Sequence, residues 1–187
     1  SGGNKKDHVL FTYRSANNFL KVEPKIFNQA GAKWFYLLSL AGKFWQANMN
    51  AVFASALRQQ SKVAWNPGSV QLKAGYAVLK KYLRQTEVLF LNKEEAQALV
   101  KTSGVKTEDI ARIFKIIHSW GPKLIAITQG DKGAYFYSGN FIIYQPALPV
   151  AGVNTTGAGD AFGSSFIGGL MLYNGDSGAP VFIKLAN

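Results

Sequence analysis

The run Asn154-Thr155-Thr156-Gly157-Ala158-Gly159-Asp160 combines two glycines with a carboxylate at a spacing that suits phosphate chemistry. Ala161, Phe162, Phe166, Ile167 and Leu170 follow with a helical period, which predicts a helix starting near Gly157 or Ala158. Gly157 and Gly159 carry no Cβ and let a ligand approach the backbone closely. Their N–H groups, with that of Ala158, are the unpaired donors of a helix start, where the dipole favours negative charge. The pattern predicts an anion-binding bend. Asp160, beside it, has two readings. As structure, a first-turn aspartate complements the helix dipole and is worth ~0.3–1 kcal/mol. As chemistry, it is a general base that takes the proton of an attacking hydroxyl while the amides hold charge on a phosphoryl group in transit.

Three further segments carry chemistry-bearing residues: Asn66-Pro67-Gly68, Asn92-Lys93-Glu94-Glu95 and Thr128-Gln129-Gly130-Asp131-Lys132-Gly133. Each also has a plain reading. Asn92-x-x-Glu95 has the spacing of a helix capping box, Thr128 to Gly133 can be a turn into a hairpin, and Lys132 can be an exposed lysine.

Positioning these segments requires elements that end together. Strands are predicted at 7–13, 34–38, 63–65, 87–91 and 124–128, and 34–38 reads as buried on both faces. Helices are predicted at 24–30, 48–60 (Val52, Phe53, Ala56 and Leu57 inward), 70–84 and 94–101, and from a cap at Thr107 through His118. Ala134 to Tyr137 and Phe141 to Gln145 read as a hairpin about Ser138-Gly139-Asn140. Alternating strands and helices imply right-handed crossovers and a mostly parallel sheet covered on both faces: a three-layer α/β sandwich with an antiparallel hairpin at its edge. In such sheets ligands sit beyond the carboxyl ends of the strands, where all four segments fall.

Composition narrows the class. A chain of 187 residues, 48% hydrophobic and 17% charged, fits one globular domain over 1–187. It has no cysteine, so disulfide and thiolate-metal chemistry are excluded and a cytoplasmic location fits. No apolar run approaches the ~18 residues of a membrane span. Lys+Arg 21 against Asp+Glu 10 gives +11, which invites an anionic partner, yet the charges are scattered as on a solvated surface.

Asn154 to Phe162 (NTTGAGDAF) resembles the signature of the ribokinase-like (PfkB) sugar kinase family, Asp-Thr-x-Gly-Ala-Gly-Asp. The NPG, NKEE and TQGDKG segments are similar to family landmarks and occur in the family's order, and Tyr13-Arg14-Ser15-Ala16-Asn17 resembles a YRGAN-like strand end. The resemblance covers nearly the whole chain. It implies ATP-dependent phosphorylation of a sugar or nucleoside hydroxyl, with Asp160 as catalytic base and the Gly157, Ala158 and Gly159 amides as anion hole. Asn92 and Glu95 would act on Mg2+, mostly through water, with a monovalent cation as a further cofactor. Thr128, Gly130, Lys132 and Gly133 would hold the nucleotide. Ile183 to Asn187 resembles the start of a late helix beside the adenine, so Asn187 is a nucleotide contact. Arg14 and Asn17 would face the acceptor. A homodimer is the assembly expected of the full-length protein.

Two departures qualify this reading. Asn154 stands where the family usually has Asp, which keeps an acceptor and loses a charge. Family members are also markedly longer, which implies a domain lacking the N-terminal sugar-binding and lid region and the last C-terminal helices, with Gly2-Gly3-Asn4 a remnant of the former.

Competing readings are weaker. A dinucleotide fold needs G-x-G-x-x-G, whereas Gly157, Gly159 and Gly163 give G-x-G-x-x-x-G with no later strand to supply a ribose-binding acid. There is no P-loop motif. A nucleic-acid-binding basic domain has only the charge in its favour, with no recognition signature. A catalytically degenerate, nucleotide-binding kinase homologue stays open on the strength of Asn154. His8 and His118 lack a nucleophile context, Trp34, Phe35, Tyr36 and Trp65 read as core, and Gly168-Gly169 as a tight helix contact.

Overall fold

The structure is a computed structural model that describes residues 16–28, 31–149 and 157–173. The predicted strand at 7–13, Arg14, Asn154, Asn187 and His8 lie outside the described residues.

A 3-10 turn, Ala16–Phe19, leads into α1 (Pro24–Asn28), β1 (Trp34–Leu37), α2 (Trp45–Gln59), β2 (Lys62–Trp65) and α3 (Ser69–Leu83). Then follow β3 (Val88–Asn92), α4 (Lys93–Lys101), α5 (Ile110–Ser119), β4 (Leu124–Thr128), β5 (Ala134–Tyr137), β6 (Ile142–Gln145) and α6 (Ala158–Leu172). The six strands pair in sequence order, β1 to β4 parallel and β5 and β6 antiparallel. The expected α/β sandwich with an antiparallel edge hairpin is what forms.

Side-chain alternation builds two cores. Leu37, Val63, Trp65, Leu89, Leu91, Ile125 and Ile127 meet α2 to α5 on one face. Ala64, Val88, Phe90, Leu124, Ala126 and Phe136 meet α6 on the other, through Phe166, Ile167 and Leu170. Strands β3 and β4 are wholly apolar up to their last residues because both their faces are covered.

Several boundaries and packing details differ from the sequence pattern. Strand β1 ends at Leu37, and Trp34, Phe35 and Tyr36 are half-buried, since β1 is the outermost described strand on its side. Leu38, read as strand, is exposed. Helix α2 begins at Trp45, and its Leu57 faces solvent at 71% exposure. The cap of α5 is Asp109, whose carboxylate accepts from Ala111 N at 2.9 Å, while Thr107 Oγ1 accepts from Asp109 N at 3.2 Å. Helix α3 is kinked at Gly75 (φ 76°), and the displaced Tyr76 N–H donates to Thr102 Oγ1 at 2.8 Å. A Cβ on Gly168 would meet no described atom within 4 Å, so no described residue makes a tight contact there.

The parallel strands bring Asn66, Asn92 and Thr128 to one edge of the sheet. Asn92 pairs directly with Thr128, and Asn66 Nδ2 donates to Phe90 O at 3.4 Å.

Candidate functional site

Strand β3 hands straight over to α4 at Asn92. Asn92 Oδ1 accepts from Glu95 N at 2.8 Å, and the Glu95 carboxylate accepts from Asn92 N at 2.9 Å. This is a complete capping box, so the structural reading of Asn92-x-x-Glu95 is realised. It leaves lone pairs free on both side chains. Burial raises the Glu95 carboxyl above its ordinary range, against the lowering by the Asn92 N–H, and the neighbouring Glu94 charge raises it further.

Strand β4 ends in a turn closed by Gln129 N to Gly133 O at 2.8 Å and Lys132 N to Gln129 O at 3.2 Å. Gly133 has φ 105°, and a Cβ there would strike the Gln145 carbonyl, so only glycine lets the turn feed β5. Tyr144 Oη donates to Lys132 O at 2.5 Å and pins the turn from β6. Between the two strand ends lies a cavity of about 460 Å³ lined by Asn92, Lys93, Glu94, Thr128, Gln129, Gly130 and Lys132. Of the sequence candidates, Asn92, Thr128, Gly130 and Lys132 meet around it. Glu95 and Gly133 stand behind its lining. Lys93, Glu94 and Gln129 belong to it although the pattern did not single them out; the available signal was their place between motif residues in a helix's first turn and at a strand end.

Helix α6 starts as the spacing predicts. Its cap is Gly157 with φ 81°, a left-handed conformation, and no described side chain caps it. Gly157, Ala158, Gly159 and Asp160 are all exposed, and a Cβ on either glycine would meet nothing within 4 Å. The bend is therefore unplugged by any described residue. Asp160 is the acid of the first turn, and its carbonyl accepts from Ser164 Oγ at 2.8 Å. No residue of α6 lines the 460 Å³ cavity. Asn17 is exposed in the 3-10 turn, its carbonyl accepting from Leu20 N at 3.4 Å and lying against Gly42.

A family model, "pfkB family carbohydrate kinase", matches residues 2–180. The chain belongs to this family. Among relatives of this pfkB chain is the cytidine kinase of Thermococcus kodakarensis, 40% identical over 95 residues, covering 49% of this chain and 32% of the relative. Fructokinase-1 of Zea mays is 34% identical over 93 residues, covering 41% and 29%. The fold is shared with Anopheles gambiae adenosine kinase, solved with a di-adenosine tetraphosphate (TM-score 0.73, 23% identity, 91% of this chain, 54% of that one). It is also shared with an Escherichia coli protein assigned as a ribokinase II and solved with ATP and Mg2+ (TM-score 0.70, 20% identity, 88% and 53%). The chain thus spans about a third of these curated relatives and about half of these solved structures.

The residues present suit the small molecules such kinases use. Lys93 and Lys132 bring positive charge to the cavity lining, beside the acid Glu94, as a site for phosphate groups would need. Oxygen donors at Asn92, Glu94 and Glu95 suit an ion that keeps much of its water, and among the described residues no cluster of three acids or histidines encloses a metal directly. No helix among the described residues is long and apolar enough to cross a membrane.

Proposed function

We propose that the protein carrying this chain transfers the terminal phosphoryl group of ATP to a hydroxyl of a sugar or nucleoside, with Asp160 as general base. The observation that carries this reading is the start of α6: a left-handed glycine bend that no described side chain caps or fills, with a single exposed acid in its first turn.

Thr128, Gly130 and Lys132 hold the nucleotide at the end of β4, with Lys93 facing the same cavity. Asn92 and Glu95 would hold Mg2+, mostly through water, and the ion would supply charge neutralisation on the phosphates. The Gly157, Ala158 and Gly159 N–H groups aim at the oxygens of the phosphoryl group in transfer, where the helix dipole favours negative charge. The acceptor oxygen forms the new P–O bond, its proton passes to the Asp160 carboxylate, and the bond to ADP breaks.

The deciding experiment measures ADP release by the full-length kinase on a panel including cytidine, adenosine, fructose and ribose. Asp160→Asn should lower kcat by about 10²–10⁴-fold, the worth of a positioned base, with ATP affinity kept. A variant as active as the parent would refute the assignment. ATP binding without turnover on every acceptor would favour the degenerate homologue, the reading that Asn154 supports.

A further inference from the structure

Tyr36 is the penultimate residue of β1, and with Trp34 it faces the α6 side of the sheet. Its ring meets Phe90 edge-on at 5.8 Å, and Phe90 in turn packs against Phe162 and Phe166 of α6. The bed under α6 is aromatic and apolar except for one atom, the Tyr36 hydroxyl. That oxygen is buried and has no hydrogen-bond partner among the described residues. Burying a hydroxyl unpaired costs stability, and a phenylalanine would fill the same space without the cost.

The hydroxyl sits where α6 has no side chain. A Cβ on the buried Gly163 would collide with Tyr36 Oη, so glycine at this position is a socket for the phenol. Gly163 lies three residues after Asp160 on the same helix face. Cβ positions so spaced are about 5–6 Å apart, so a turn of the exposed Asp160 side chain would carry its carboxylate toward Oη, a hydrogen bond not made in this structure.

Among the described residues, the charges around this spot single out one partner. Asp160 is the only ionisable residue on α6, and β3 and β4 carry none. Lys62 on β2 pairs with Glu87 at 3.7 Å, at the strand's opposite end. On β5 and β6 the ionisable groups are Tyr135, Tyr137 and Tyr144, of which Tyr135 packs on Tyr144 and Tyr137 on Phe114. Burial, and then the Asp160 carboxylate, push the Tyr36 phenol up to about 12, so it keeps its proton and remains a donor at any working pH.

We infer that Tyr36 is a positioning residue for Asp160: seated on Gly163, its O–H donates, once the exposed aspartate side chain turns toward it, to the carboxylate oxygen that does not receive the acceptor's proton. This rests on the reading of Asp160 as the base.

The test compares Tyr36→Phe, Gly163→Ala, Asp160→Asn and the Tyr36→Phe/Asp160→Asn double variant in the full-length kinase. For Tyr36→Phe, the KM for ATP should hold. Its kcat should fall roughly tenfold, the worth of one hydrogen bond to a charged group. The acidic limb of the kcat–pH profile should move up by about one unit, because the carboxylate loses a donor that favours its charged form. Gly163→Ala, which displaces the hydroxyl with Tyr36 intact, should move the limb in the same direction. In the Asp160→Asn background the tyrosine change should add nothing to the residual rate. An unmoved limb in Tyr36→Phe, with or without a drop in kcat, overturns the inference. If Asp160→Asn still abolishes turnover in that case, the base assignment survives by itself. Full turnover by Asp160→Asn removes both.

Discussion

Glu95 carries two jobs that one substitution separates. Its carboxylate closes the capping box of α4, and burial raises its pKa above the ordinary value. A raised carboxyl binds its proton more tightly folded than unfolded, so its stabilising contribution is present at low pH and is lost as pH rises through the folded value. Above that value the ionised side chain is therefore a mild burden on the fold. Glu95→Gln keeps an acceptor for the Asn92 N–H and removes that burden, so Tm at pH 7 should hold or rise. The Mg2+ concentration for half-maximal turnover should increase. Glu95→Ala should lose about 1 kcal/mol, a typical capping loss, seen in urea unfolding. Equal Mg2+ dependence in Glu95→Gln and the parent would leave the residue a cap and nothing more. The Asn-x-x-Glu spacing was readable in the sequence because capping and ligation need the same three-residue offset. Tyr36 was not. An apolar run shows that a strand is buried, but not that one hydroxyl along it will meet a glycine on a helix over 120 residues later.

At the scale of elements, α6 was legible because its start is local: two glycines, then an apolar period. The two glycines should nonetheless respond oppositely to alanine. Gly157 holds φ 81°, so Gly157→Ala should cost about 1–2 kcal/mol from the left-handed backbone, and activity should fall with it. Gly159 is helical with open space around its missing Cβ, so Gly159→Ala should gain up to about 1 kcal/mol of helix propensity. If its bare backbone serves the phosphoryl group, kcat should drop in this more stable protein. Thermal unfolding and ADP release on the same sample read both, and Gly159→Ala with undiminished kcat would deny that amide its close approach. The kink of α3 was illegible for the opposite reason. Leu72, Tyr76, Leu79 and Leu83 hold a helical stripe through Gly75, and the break is made tolerable by a distant hydroxyl. Thr102→Val should leave the Tyr76 N–H to water and cost about 0.5–1.5 kcal/mol, measurable by urea unfolding with kcat unchanged.

Over the whole molecule, strand order follows sequence order, and α2 to α5 share a core with one face of the sheet while α6 packs on the other. That arrangement was readable as alternation of strands and helices; the edge position of β1, and hence the half-burial of its aromatics, depends on neighbours no local pattern names. Two of the motifs meet at the cavity between β3 and β4, Asn66 stands at the neighbouring strand end, and the described part of the fourth motif opens α6. Neither the cavity nor the start of α6 supplies a pocket for the acceptor built from described residues. The chain covers 49% of its own length against the cytidine kinase and 53–54% of the length of solved kinases of this fold. We therefore expect the purified 187-residue chain to bind ATP–Mg2+ through the β3–β4 cavity, seen as a rise in Tm with nucleotide. Its net charge of +11 against a polyanion should make that rise shrink as salt is added. ADP release with the acceptors used by the longer protein should be absent, because a base and an anion hole accelerate nothing until an acceptor hydroxyl is held against them. Turnover by the chain at the longer protein's rate would place the acceptor site within these residues after all, and Arg14 and Asn17 would become the first positions to mutate.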